Sequence, residues 1–164
     1  MKFELVHPLP VSPVRAWNGL FGEAYAQVLE ERSKIHNLVL EERVDGPIRR
    51  KRTRVTTKRE IPSAFSKILG SGPLTYEIEE EFEDTRQLMR WRVIPARMAD
   101  KITAEGTYSI GPGPNDSSVR RVVGEVRVAI PLLGGQIEKL VAKELEAGYE
   151  RSTAFAREWL LANG

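Results

Sequence analysis

The pattern of apolar and polar residues changes its period along the chain. Residues 134–163 contain no proline and are rich in Ala, Leu, Glu and Lys, which predicts one long C-terminal helix. Between residues 35 and 130 the apolar positions recur at every second residue, as in half-buried strands. Near the N-terminus, Ser12-Pro13 is a helix-start signal, and residues 23–32 follow with helical spacing. The predicted order is a strand, two short helices, six strands and the long helix.

Each predicted strand has one apolar face. The segments are 2–7, 35–44, 48–59, 74–83, 87–94, 101–110 and 118–130. Asp45-Gly46 is a strong hairpin signal, and strands joined by short turns favour an antiparallel meander. A one-sided sheet needs a cover, and only the C-terminal helix is long enough to supply it. The fold class is therefore α+β, and 164 residues suit a single domain over 1–164.

The predicted inner face of the C-terminal helix is apolar at both ends but small or polar in its middle. Glu144, Gly148 and Ser152 occupy the middle, while Val141 and Leu145 are apolar neighbours. One interpretation is a gap that holds a ligand. The other is that the small residues only permit close approach of the backbone. The helical spacing alone leaves both open.

Three polar residues fall at positions that the alternation assigns to the interior. Glu80 is in phase with Tyr76 and Ile78, His36 is in phase with Leu38, and Glu144 lies on the helix face described above. A buried carboxylate must be paired, hydrogen-bonded or protonated. These groups are interpreted either as an acid–base pair or as structurally satisfied residues at the rim of a cavity. A bulge in the strand would turn Glu80 to solvent instead.

Charge is nearly balanced, with 25 Lys and Arg against 23 Asp and Glu. The basic run 49–54 is expected to face the acidic run 77–84 on a neighbouring strand, where opposite charges stabilise the pairing. No aromatic residue interleaves with the basic run, so a stacking platform for single-stranded nucleic acid is not expected. Docking of a protein or membrane partner through the basic strand remains an alternative.

Known catalytic and phosphate-binding motifs are absent from the sequence. Because there is no cysteine, disulfides and thiolate metal sites are excluded, and we expect neither a metal nor a cofactor. No apolar run approaches the ~20 residues of a membrane span. The N-terminus is a poor signal peptide, so a cytoplasmic location is the expectation.

Two stretches resemble the helix-grip fold of the START-like superfamily. They are Phe3-Glu-Leu-Val-His-Pro-Leu-Pro-Val-Ser-Pro-Val-Arg-Ala-Trp17 and residues 135–161. The series Ser12-Pro13, Trp17, Phe21 and Tyr25 is similar to an uncharacterised bacterial family of that superfamily. The resemblance implies a curved seven-strand antiparallel sheet around the C-terminal helix, with a cavity for an apolar ligand. The superfamily shares no catalytic residues, so none is transferred.

Together, the pattern and the resemblance predict binding, with transport as an extension, of an apolar or amphipathic molecule such as a lipid or isoprenoid. A non-enzymatic role is favoured; the alternatives are a cyclase or dehydratase using Glu80 or His36, and an interaction domain. Nucleic acid is not expected as a partner, and membrane contact is expected to be transient at most. Phe65, Ile68 and Leu69 are interpreted as an entrance flap. The expected ligand-binding residues are His36, Leu38, Tyr76, Ile78, Glu80, Met89, Trp91, Tyr108, Val126, Val141, Glu144, Leu145, Gly148 and Ser152.

Overall fold

The computed structural model describes residues 1–60, 63, 66–67 and 70–163. Seven strands form one antiparallel sheet in the order β1-β7-β6-β5-β4-β3-β2. The strands are β1 (Lys2–Leu9), β2 (Ile35–Asp45), β3 (Ile48–Glu60), β4 (Pro73–Glu83), β5 (Leu88–Pro95), β6 (Ile102–Pro112) and β7 (Ser118–Val128). Six consecutive strands form a meander, and β1 pairs with the last of them. The predicted strand order and antiparallel pairing are confirmed.

Three helices accompany the sheet: α1 (Pro13–Leu20), α2 (Glu23–Ser33) and α3 (Gly134–Asn163). Ser12 precedes α1, and Pro13 occupies its first turn, where a missing N–H leaves no unsatisfied bond. The entrance flap expected at Phe65, Ile68 and Leu69 lies outside the described residues. No helix of the described chain is long and apolar enough to cross a membrane.

Strand β1 runs two residues beyond the predicted segment 2–7 and includes Pro8. Pro8 pairs with Val119 and Leu9 with Ser118. Proline is tolerated there because β1 lies at an edge of the sheet, where one side of the strand needs no N–H donor. The extension buries Leu9, which is 2% exposed. Pro8 is therefore part of the strand and does not terminate it.

The hydrophobic core packs against one face of the sheet, which we call the inner face. Its central strands place Phe82, Met89, Tyr108 and Val122 side by side in register. From α1, Trp17 packs its ring against Phe82 at 6.2 Å. The same apolar cluster includes Ala156 and Leu160 of α3. Two covers, the short helix α1 and the C-terminal half of α3, thus close this end of the inner face.

The long helix does not lie centred over the sheet. It packs chiefly on β7, with further contacts to β1 and α1. Its buried residues are Gly134, Ile137, Ala142, Thr153, Ala156 and Leu160. The buried face of α3 is therefore rotated about the helix axis relative to the predicted inner face. As a result, four residues of the predicted face are only half-buried: Val141, Leu145, Gly148 and Ser152. Glu144 lies farther round and is exposed, so its inward assignment is wrong.

The basic and acidic runs neutralise each other on the outer face, as the sequence indicates. Arg52 pairs with Glu77 at 2.5 Å, Arg54 reaches the same carboxylate at 3.1 Å, and Arg50 binds Glu81 at 3.3 Å. The Arg52 hydrogen bond holds the pKa of Glu77 below its usual range. The arginines that resemble a nucleic-acid patch in the sequence therefore have carboxylate partners.

Candidate functional site

One row of residues crosses the inner face of the whole sheet, each standing opposite the next. We call it the central row. Its members, from one edge strand to the other, are Glu42, Lys51, Glu80, Trp91, Gly106, Gly124 and Phe3. On β2, β3 and β4 the row carries residues of opposite charge. On β5, β6, β7 and β1 it forms an aromatic platform.

The platform is the indole of Trp91, which extends from β5 over two neighbouring strands. A Cβ at Gly106 or at Gly124 would come within 2.8 Å of the Trp91 ring. The glycines therefore let the indole lie close to the sheet and reach Phe3 of β1. Within the described chain, the buried Nε1 of Trp91 has no hydrogen-bond partner. An unpaired donor of this kind costs about 1–3 kcal/mol unless a ligand or water accepts from it.

Glu80 points to the interior, as the alternation predicts. It opposes Trp91 on one side and Lys51 on the other, and it is in phase with the buried Phe82. The register irregularity between β3 and β4 falls beyond Thr56, so it does not turn Glu80 outward. Burial raises the pKa of Glu80, and the charges of Lys51 and Arg49 oppose this only in part. A carboxyl group in this environment keeps its proton to a higher pH than an exposed one does, and its protonated form can donate a hydrogen bond.

Beside Glu80, β3 and β4 add a second unsatisfied polar atom and two half-buried side chains. Thr53 lies opposite Ile78, and its buried Oγ1 lacks a partner in the part of the chain that is described. Tyr76 and Ile78 are half-buried. Burial raises the pKa of Tyr76, so its hydroxyl stays neutral. This part of the inner face presents hydrogen-bonding groups in apolar surroundings, which is the chemistry of a small-molecule site.

On the helix side, Val141 and Leu145 pack into the same apolar cluster as Trp91. Gly148 lies on the same half-buried face of α3. A Cβ built at Gly148 would meet, among the described atoms, only the Arg151 side chain, at 4.0 Å. Space for a side chain is therefore present. Ser152 donates its hydroxyl hydrogen to the Tyr149 carbonyl at 3.1 Å, which makes it a helix-internal contact.

The structure divides the remaining predicted residues into two groups. Met89, Tyr108 and Val126 are on the inner face and are 5%, 6% and 0% exposed, so protein atoms already surround them. His36 and Leu38 instead pair with Thr56 and Arg54 on the outer face. Their inward assignment is wrong because β2 is an exposed edge strand, where apolar residues occur on both faces. His36 binds Glu30 of α2 at 2.9 Å, which is a surface contact.

A buried polar cluster beyond the central row was missed by the sequence reasoning. Arg120 of β7 is 3% exposed and His7 of β1 is 4% exposed, and the two residues are paired across the strands. Arg120 donates to Thr153 of α3, and its guanidinium lies 5.1 Å from the Tyr149 ring. Alternation would have found both groups, since Arg120 is in phase with Val122 and His7 with Leu5. The cluster lies near the central row, because Arg120 is two alternation steps from Gly124 along β7.

Two clefts include residues of the site in their walls: Lys51 and Glu80 line the first, and Tyr76 lines the second. One of about 330 Å³ has most of its lining residues on the outer face, among them Arg50, Arg52 and Glu79. Another of about 250 Å³ lies beside Arg54, Tyr76 and Pro95. Both have charged residues in their walls, and neither includes a residue of α3. The described side chains include no group of three His, Asp or Glu residues that could hold a metal ion.

Comparison with solved structures finds the same architecture in proteins of diverged sequence. TTHA0849 from Thermus thermophilus superposes with a TM-score of 0.68 at 19% identity, covering 99% of this chain and 98% of that one. The Zhui aromatase/cyclase from Streptomyces sp. R1128 gives 0.59 at 13% identity, with coverage of 99% and 92%. Norcoclaurine synthase from Thalictrum flavum gives 0.62 at 16% identity, with coverage of 100% and 87%. The predicted helix-grip fold is confirmed.

Sequence comparison points to a family rather than to a reaction. No curated protein matches the chain. A family model described as "Protein of unknown function (DUF2505)" matches residues 4–160, nearly the whole length. The chain therefore belongs to the DUF2505 family and has the helix-grip fold.

Proposed function

We propose that this protein binds an apolar or amphipathic small molecule, such as a lipid or isoprenoid, between the inner face of the sheet and α3, and carries it in that space. The observation that supports this most strongly is the group of unsatisfied polar atoms on the inner face. Trp91 Nε1 and Thr53 Oγ1 are buried without partners in the described chain. Glu80 is desolvated beside them. Buried polar atoms are nearly always hydrogen-bonded, so a ligand that accepts and donates here would complete them.

The side chains around these polar atoms indicate the chemical character of the rest of the ligand. Tyr76, Ile78 and Trp91 are half-buried on the sheet, and Val141, Leu145 and Gly148 are half-buried on the helix. Burial of apolar ligand surface against them is worth about 25 cal/mol per Å². The polar atoms would orient one carbonyl or hydroxyl group of the ligand. The ligand expected from this composition is a largely apolar molecule with few polar groups.

Native mass spectrometry of the purified protein, followed by solvent extraction, tests this proposal. A discrete additional mass that extracts as an apolar compound supports it and gives the ligand class. A clean apo mass, together with no thermal stabilisation by any member of a lipid and isoprenoid panel, would contradict it.

A cyclase or dehydratase activity is the second candidate, because burial raises the pKa of Glu80 and a protonated carboxyl can serve as a general acid. His36 has no part in it, since it lies on the outer face. The test is to incubate the protein with the compound extracted from it and to follow new masses by liquid chromatography. Conversion by the wild type but not by a folded Glu80→Gln variant would support an enzyme. Equal product from both would exclude Glu80 as its acid.

A further inference from the structure

Arg120 is a charged side chain with almost no access to water. It projects from β7 to the inner face, one alternation step from the fully buried Val122, and is 3% exposed. One terminal nitrogen donates to Thr153 Oγ1 and to His7 Nδ1, the latter at 3.2 Å. Its Nε–H is buried and finds no acceptor among the described residues. Removing a charged group from water in this way costs several kcal/mol, which other interactions must offset.

The groups that contact the guanidinium are all neutral. Because Arg120 donates to Nδ1 of His7, that nitrogen carries the lone pair and Nε2 carries the hydrogen. Nε2 then donates to Glu150 at 2.9 Å, on the far side of the imidazole. Glu150 is 65% exposed and does not touch the guanidinium. Among the side chains that the structure describes, no carboxylate forms an ion pair with Arg120.

Tyrosines surround the charge but do not neutralise it. The guanidinium lies 5.1 Å from the Tyr149 ring and 5.9 Å from the Tyr108 ring, within the range of cation–π attraction. Burial raises the pKa of Tyr25, Tyr108 and Tyr149, and the Arg120 charge opposes this shift in each. All three therefore remain neutral phenols at physiological pH. The guanidinium is a buried positive charge whose contacting side chains are neutral and accept its hydrogen bonds, and among the described residues no anion faces it.

From this arrangement, we propose that Arg120 is an anion-binding residue that holds the carboxylate of an acidic amphipathic ligand. Carboxylate fits the guanidinium because charge-assisted N–H···O⁻ bonds are short and strong, and the free Nε–H supplies a donor. Arg120 lies on the inner face of β7, two alternation steps from Gly124 of the central row, and it contacts Thr153 of α3, so it adjoins the proposed binding space between sheet and helix. This inference rests on the proposed binding function and specifies its ligand class as carboxylic acids with an apolar chain or ring.

The test compares two probes that differ only in the head group: dodecanoic acid and 1-dodecanol. We expect calorimetric titration of the wild-type protein at pH 7.5 to show the acid binding about tenfold or more tightly. In Arg120→Gln the acid should lose that advantage, bringing the two probes within about threefold of each other. Arg121→Gln is the matched control, because Arg121 is the next residue, is exposed and pairs with Glu4 on the other face. It should keep the wild-type preference.

The outcomes separate this inference from the function on which it rests. Equal binding of acid and alcohol by the wild type would overturn the carboxylate site while leaving the binding function intact. Failure of both probes, and of the wider lipid panel, would overturn both. If Arg120→Gln does not fold, the wild-type comparison still decides, since it needs no variant. Retained acid preference in a folded Arg120→Gln protein would also refute the assignment.

Discussion

Trp91 of β5 and Phe3 of β1 stack on the inner face across two intervening strands, with ring centroids 6.3 Å apart. The contact exists because Gly106 and Gly124 face each other on β6 and β7 beneath the indole. A side chain at either position would lift the ring from the sheet. The glycine pair therefore sets the height of the platform on which we place the ligand.

Replacing Gly124 with alanine should destabilise the protein by about 1–3 kcal/mol, because the added carbon overpacks a buried position. The new Cβ would lie 2.6 Å from the Phe3 ring and 2.8 Å from that of Trp91. Urea unfolding measures the loss, and the tryptophan emission of the folded protein should change as well. Gly111→Ala on β6 is the control, since its Cβ would meet no described atom within 4 Å. Equal stability of the two variants would contradict the platform geometry.

Glu80→Gln should become more stable relative to the wild type as pH rises. The folded state raises the pKa of Glu80 above its ordinary value of 4.5, so it binds the proton more tightly than the unfolded chain does. By linkage, wild-type stability then falls as pH rises from about 4.5 through the raised folded pKa. Glutamine has no proton to lose. Urea midpoints of both proteins between pH 4 and pH 8 give the difference.

Glu79→Gln provides the comparison for that experiment. Glu79 is the adjacent residue, lies on the outer face and pairs with Arg52 at 4.0 Å. Glu79→Gln should not become more stable relative to the wild type as pH rises. A flat difference between Glu80→Gln and the wild type across the whole range would show that the Glu80 carboxylate is solvated, against its assignment to the site.

Asp84→Asn should cost about 1 kcal/mol at neutral pH, allowing for solvent around a half-exposed carboxylate. Asp84 accepts hydrogen bonds from Arg49 at 3.1 Å and from Trp17 Nε1 at 2.9 Å, joining α1 to β3. The Arg49 bond lowers the pKa of Asp84 from its ordinary 3.8, with burial opposing and Trp17 assisting. The stabilisation is therefore present above about pH 4 and lost as pH falls through the lowered folded value.

Thermal unfolding at pH 7 and pH 3 checks the Asp84 prediction. The gap between wild type and Asp84→Asn should be largest at neutral pH and should shrink in acid. Asp116→Asn serves as the control, because Asp116 lies in the exposed β6–β7 turn at a positive φ of 58° that asparagine also adopts. A gap of the same size at both pH values would show that the Asp84 ion pair contributes nothing.

Gly148 allows the helix side of the site to be tested in two steps. Gly148→Ala should stabilise α3 by about 1 kcal/mol, since glycine is a poor helix former and the space is open. Gly148→Leu should fold as well but should weaken ligand binding by about tenfold or more, because the larger side chain fills the gap. Gly135→Leu, in the exposed first turn of α3, is the control. Unchanged affinity in Gly148→Leu would place the ligand elsewhere.

Strand alternation predicted the sheet well because its central strands are buried on one face only. Glu80 could be assigned to the interior from its phase with Phe82. The same reasoning assigns Arg120 to the interior from its phase with Val122. The glycine pair under Trp91 could not be predicted, because it depends on the register in which β5, β6 and β7 pair.

The inward assignments that were wrong each have a specific structural cause. His36 and Leu38 are on an edge strand whose two faces are both exposed, and a bulge between Val39 and Glu41 breaks its alternation. Glu144 was misplaced because helical spacing gives the faces of α3 but does not say which one meets the sheet. That choice depends on the contacts of α3 with β7 and α1. Tertiary packing therefore decided what periodicity left open.

The central claim is that an apolar molecule binds between the inner face and α3, and photo-crosslinking tests its location directly. A long-chain alcohol bearing a diazirine, irradiated with the folded protein, should label peptides from β4, β5 and the middle of α3. Tyr76, Ile78, Trp91 and Val141 are the expected sites, and the unlabelled alcohol should compete. Labelling confined to outer-face peptides, or no greater than in urea-unfolded protein, would contradict the account.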